Sequence, residues 1–171
     1  MRIRVAFAAA VLTAGLSAAG CSKPVDLKQA LQVTDLIGGY HDAGVVGGKN
    51  KIVPTLSFRL KKSTSDSLRP LSLSVSFRQL PPAGTEVAPG SPAEKDWDEK
   101  FVQSVAFEND VTAQLTFKAE TGYTADPPQT RAEMLQNKSF QDVRVHVFAK
   151  HSASQWVEIA TFDVPRQILA Q

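Results

Sequence analysis

One cysteine, Cys21, serves all 171 residues, so an intramolecular disulfide and a cysteine-based metal cluster are both excluded. Three histidines, His41, His146 and His151, are too dispersed to spell a zinc motif. Neither a Gly-x-Ser-x-Gly elbow nor a His-Glu-x-x-His helix occurs. No catalytic residue, metal ligand or cofactor is therefore expected. A charge excess is missing too. Of 19 basic residues, Arg2 and Arg4 precede Cys21, which leaves 17 against 17 acidic ones. A neutral remainder with scattered lysines and arginines has no electrostatic footprint for nucleic acid, and that partner is excluded. Helical periodicity is scarce, and the chain has neither an internal repeat nor a low-complexity tract.

The beginning of the chain is informative. Arg2 and Arg4 form a positive patch, Val5 to Leu16 an apolar or small-residue run, and Ser17 to Gly20 the small residues that a signal peptidase cleft accepts. Leu16-Ser17-Ala18-Ala19-Gly20-Cys21 resembles the lipobox of bacterial lipoproteins, with Ala18 where leucine is usual. The resemblance implies cleavage between Gly20 and Cys21 and acylation of Cys21. Two or three acyl chains on one residue make release from a membrane negligible. Ser22, rather than aspartate, follows the cysteine, which by the same resemblance favours the outer membrane, periplasmic face. Two other readings stay open: a secreted protein cut near Ala18-Ala19-Gly20 with a free thiol, and an uncleaved anchor. The apolar run is shorter than the ~20 residues a spanning helix needs. Residues 1–20 are thus a leader, 21–27 a lipidated N-terminus and tether, and 28–171 one domain, long enough for a single core.

That domain alternates with period two, the mark of half-buried strands. Leu56, Phe58 and Leu60 face one way; so do Leu71, Leu73, Val75 and Phe77, then Val111, Ala113, Leu115 and Phe117, then Val143, Val145 and Val147. Gln155 to Val164 is a last strand, and His151-Ser152-Ala153-Ser154 is short enough to close a hairpin. Weaker strands are expected at Leu31 to Ile37 and Phe101 to Phe107. The fold class is all-β: a single immunoglobulin-like sandwich of about seven antiparallel strands.

Three stretches break the alternation. Gly38 to Asn50 reads as a long glycine-rich turn; Gly48-Lys49 lacks the other Walker residues. Pro81 to Pro92 is a proline and glycine loop. Thr121 to Lys138 is a crossover in which Thr130 and Glu133 have capping-box spacing, predicting one or two helical turns. The acidic run Glu94 to Glu99 is expected to be a solvated loop with Trp97 folded onto the sandwich edge, and Trp156 to plug the core. Tyr40 and Trp97 are the candidate partner contacts. Asn137-Lys138-Ser139 is a sequon that a bacterial lipoprotein would ignore.

A lipobox followed by alternating strands ending in phenylalanine, as in Leu73-Ser74-Val75-Ser76-Phe77-Arg78, is similar to bacterial lipoproteins with immunoglobulin-like or FxLYD-like domains. That resemblance transfers no functional residue except Cys21. The expected role is a membrane-anchored, non-catalytic binding or structural module of the envelope, offering a sheet edge or loop face to a protein partner. The alternatives are a carrier with an apolar site between the sheets and, third, a hydrolase or metal-dependent enzyme.

Overall fold

The structure, a computed structural model, describes residues 25–82, 84–85 and 93–170. The expected leader, the expected Gly20-Cys21 cleavage and the expected lipidation at Cys21 lie outside the described residues, as does most of the Pro81 to Pro92 loop. The elements run α1 (Leu27–Ala30), β1 (Leu31–Val46), β2 (Lys49–Lys62), β3 (Leu71–Gln79), β4 (Lys95–Val102), β5 (Leu115–Lys118), β6 (Tyr123–Ala125), α2 (Arg131–Leu135), β7 (Val143–His151) and β8 (Val157–Asp163). One sheet has the order β1-β2-β5, with β6 also on β2; the other is β4-β3-β7-β8. All pairings are antiparallel, and the two sheets stack as a β-sandwich with an immunoglobulin-like arrangement.

The alternating rows make the core. Ile52, Leu56, Phe58 and Leu60 of β2 face Leu73, Val75 and Phe77 of β3 and Val143, Val145 and Val147 of β7, all essentially without exposed surface. Phe58 stacks on Phe117 of β5 with ring centroids 5.5 Å apart. Each such side chain contributes about 1.5–3 kcal/mol by leaving water.

Eight strands replace the expected seven because Pro54 interrupts the ladder beside β2. Its carbonyl accepts from Ala119 N at 3.0 Å, on the side where its missing N–H would point. The neighbouring strand therefore stops at Lys118 and resumes at Tyr123. Between them the chain is tied to both sheets: Glu120 N donates to Asp98 of β4, Lys100 Nζ reaches Glu120 at 2.5 Å, and Lys51 Nζ donates to Glu120 O at 2.7 Å. Gly122 crosses so close that a Cβ there would overlap the Ile52 carbonyl oxygen.

Four local expectations are corrected. The glycine-rich stretch is strand rather than turn: β1 runs to Val46 and only Gly47-Gly48 turns, with φ of 59° and 80° suited to a tight hairpin. Bulges between Thr34 and Ile37 and between Asp42 and Val45 absorb the irregularity, and the long apolar row of β2 holds β1 in register despite its glycines. The acidic run is β4, not a solvated loop, because its charges find partners across the ladder. The chain leaves the sheet after Val102 instead of continuing to Phe107, and Val105 turns inward, donating its N–H to Leu71 O at 2.8 Å. β5 starts only at Leu115, since Thr112 is buried and its Oγ1 accepts from Leu60 N at 2.9 Å. The β7–β8 hairpin and the capping box at Thr130 and Glu133 are present as expected.

The sandwich has two ends. At the lower end α1 packs on β7 and β8, Ser63 N donates to Ala30 O at 2.9 Å, and Ser152 N donates to Pro70 O at 3.0 Å. The upper end holds the β1–β2 turn, α2 and the C-terminal segment. That segment pairs with β1: Tyr40 N donates to Gln167 O at 2.8 Å and Leu169 N to Tyr40 O at 2.9 Å. Gly39 permits this approach, because a Cβ there would stand 2.8 Å from a Leu169 methyl.

Candidate functional site

The serines of β3 explain where a site can form. Ser72, Ser74 and Ser76 point away from the core, and on either side stand larger residues: Phe101 and Glu99 of β4, Phe148 and His146 of β7. Small residues on the middle strand and large ones on its neighbours leave a trough along the outer face of the four-stranded sheet. It forms a cleft of about 530 Å³ that includes Arg78, Asp96, Trp97 and Trp156.

The upper part of the trough is ionic. Arg78 and Arg144 lie opposite each other across β3 and β7, a repulsive pairing that Glu94 resolves by standing over both, at 3.6 and 3.1 Å. Arg78 also meets Asp96 at 3.0 Å. Arg144 forks onto Asp163 of β8 at 2.6 and 3.2 Å, which holds the Asp163 carboxyl below its ordinary pKa and raises that of the guanidinium. His146 Nε2 lies 2.7 Å from Glu94 and Nδ1 2.9 Å from Glu158. The hydrogen bond from His146 keeps the Glu158 carboxyl below the usual range, and Thr161 Oγ1 donates to the same group at 3.0 Å. A carboxylate beside each ring nitrogen fixes the orientation of the His146 ring. Chemically this half is a brace.

The lower part is aromatic. Ser74 Oγ donates to Glu99 at 2.5 Å, and beyond it Phe101 and Trp156 stand 62% and 42% exposed. Their ring centroids are 6.2 Å apart at 57°. Lys150 Nζ sits 5.9 Å from the Trp156 ring centroid, and Phe148 lies parallel to the His146 ring at 6.2 Å.

The structure separates the residues singled out from the sequence. Tyr40 has no exposed surface and cannot touch a partner. Its ring meets Phe140 edge-on at 5.2 Å, burial pushes its hydroxyl pKa up, and that hydroxyl has no hydrogen-bond partner among the described residues. The C-terminal segment over Gly39 and Tyr40 is what seals it in. Trp97 is half-buried at the bulge of β4, packed on Tyr123 at 4.9 Å, and borders the trough. Trp156, expected in the core, is on the surface because it lies in the turn before β8 begins and escapes the strand's alternation. His41 lies beside Lys118 at 3.2 Å on the other sheet, and among the described residues no group of three or more His, Cys, Asp or Glu could hold a metal ion. Asn137 Oδ1 accepts from Ser139 N at 2.8 Å, a local turn contact.

The ionic brace and the pair Phe101 and Phe148 were not singled out from the sequence. The serine row of β3 was the available signal. Glu94, however, reaches His146 from 52 residues away, and alternation carries no information about what folds over a strand. Comparison with protein-family models, with curated proteins and with solved structures finds no match to this chain.

Proposed function

We propose that the chain is a lipid-anchored envelope protein, held through Cys21 at the periplasmic face of the outer membrane. It acts there as a non-catalytic binding module that offers the trough of the four-stranded sheet to a protein partner. The trough carries this reading: Trp97 and Phe148 line it beside the β3 serines, while the ionisable groups of its upper half are occupied with one another. Such a surface supplies contact area and hydrogen bonds without a poised nucleophile or general base.

Other modes have less support. Strand addition to the trough's own sheet needs an unblunted edge, yet β4 carries Lys95, Asp96, Asp98, Glu99 and Lys100 and a bulge at Trp97, and α1 packs against β8. A carrier would need space between the sheets, where the facing rows of β2, β3 and β7 interdigitate without exposed surface.

Photo-crosslinking tests the face. A photoreactive residue at Ser76, in the trough, should capture a discrete partner in intact cells, and one at Ser57, on the other sheet, should not. Equal capture from both positions would refute the assignment. The anchor is tested separately: globomycin should cause the precursor to accumulate, and the mature N-terminus should carry fatty acid.

A further inference from the structure

Phe101 and Trp156 are the exposed aromatics of the trough, and they stand at the end where the chain enters the fold. Trp156 directly precedes β8, α1 packs on β7 and β8, and Lys28 of α1 is close enough to Glu158 to lower its carboxyl pKa. The entering chain therefore lies at the same end of the sandwich as the Trp156 turn. Three residues separate Cys21 from Val25, so four Cα-to-Cα steps span at most about 14 Å when fully extended. A lipid on Cys21 then holds this end of the sandwich, and not the end with the β1–β2 turn, against the bilayer.

The residues gathered there have the chemistry of a membrane interface. Indole places an apolar body and an N–H donor at the boundary between headgroups and acyl chains, phenylalanine adds apolar surface, and a lysine can rest its stem on the ring while its ammonium meets phosphate. Lys150 already lies over the Trp156 ring in this way. Of the acidic residues nearby, Glu99 accepts from Ser74 Oγ at 2.5 Å, and Glu94 and Asp96 are held by Arg78, which stands four residues up β3 from Ser74, about 13 Å.

We propose that Phe101, Trp156 and Lys150 form a foot seated in the headgroup layer of the membrane that carries the Cys21 lipid, an inference that rests on the anchored reading above. The sandwich then stands on this foot with β3 and β7 rising from the surface. The trough faces sideways, toward a partner on the same membrane.

The chain has two tryptophans, one at each of two depths in the fold, and this makes the foot measurable. The full acylated protein is placed in phosphatidylethanolamine and phosphatidylglycerol vesicles containing phosphatidylcholine brominated high on its acyl chains. In the Trp97→Phe protein, Trp156 fluorescence should be quenched at least about twofold more than Trp97 fluorescence is in the Trp156→Phe protein. Flotation of the same samples reports the anchor. Protein that floats without selective quenching of Trp156 overturns the foot and leaves the anchor standing. Protein that neither floats nor carries acyl groups overturns both. Absent quenching with self-association in detergent, abolished by Phe101→Ser and Trp156→Ser, would give the patch to a second copy and likewise overturn the foot.

Discussion

Arg166 grips Asp142 with both ends of its guanidinium, at 2.6 and 3.0 Å, and so fastens the C-terminal segment to the start of β7. The same side chain lies 5.0 Å from the Phe140 ring centroid and within 3.4 Å of the Leu135 and Phe140 carbonyls. Both charges are nearly half exposed, so water and salt weaken the pair. Arg166→Met should cost about 1 kcal/mol in urea unfolding, with part of the difference disappearing in high salt. No change at any salt concentration would remove Arg166 from the seal over Tyr40.

The burial contrast between equivalent residue types gives a sharper test. Phe58→Ala or Phe77→Ala empties a fully buried site and should destabilise by about 3–5 kcal/mol. Phe101→Ala, at an exposed one, should stay within about 0.5 kcal/mol. Urea midpoints for the three variants decide it, and a similar loss from Phe101→Ala would place that ring in the core.

Two glycines answer to different constraints. At Gly122 an added methyl meets backbone that cannot move aside, so Gly122→Ala should cost about 2–3 kcal/mol. At Gly47 there is open space but φ is 59°, a conformation asparagine tolerates, so Gly47→Asn should be within about 0.5 kcal/mol of the natural protein. Thermal melts of the two variants should separate clearly.

Acid should loosen the trough. The Glu158 and Asp163 carboxyls are depressed below their ordinary values of 4.5 and 3.8, by the His146 hydrogen bond and by the Arg144 fork respectively. An acid whose folded pKa is lowered contributes stability above its unfolded pKa and loses that contribution as pH falls through the folded value. The urea midpoint should thus hold down to the ordinary carboxylate range and fall below it. Glu158→Gln with Asp163→Asn should make that fall shallower. An acid limb identical in the variant and the natural protein would show that these pairs carry no stability.

The chain's own residues determined the repeated alternation, the β7–β8 hairpin and the helical turn capped by Thr130 and Glu133, because each depends on backbone geometry within a few residues. Only the tertiary structure decided that Gly38 to Val46 is strand, that Tyr40 is buried against Tyr123 and Phe140 beside the C-terminal segment, that Trp156 stands outside, and that Glu94 closes over His146. For Tyr40 and His146 the deciding partner comes from a distant part of the chain, the C-terminal segment or the residue preceding β4; for Gly38 to Val46 it is β2 across the hairpin, and Trp156 is freed by standing just before β8. Period two states which side chains share a face. What covers that face is settled by packing among segments far apart in sequence.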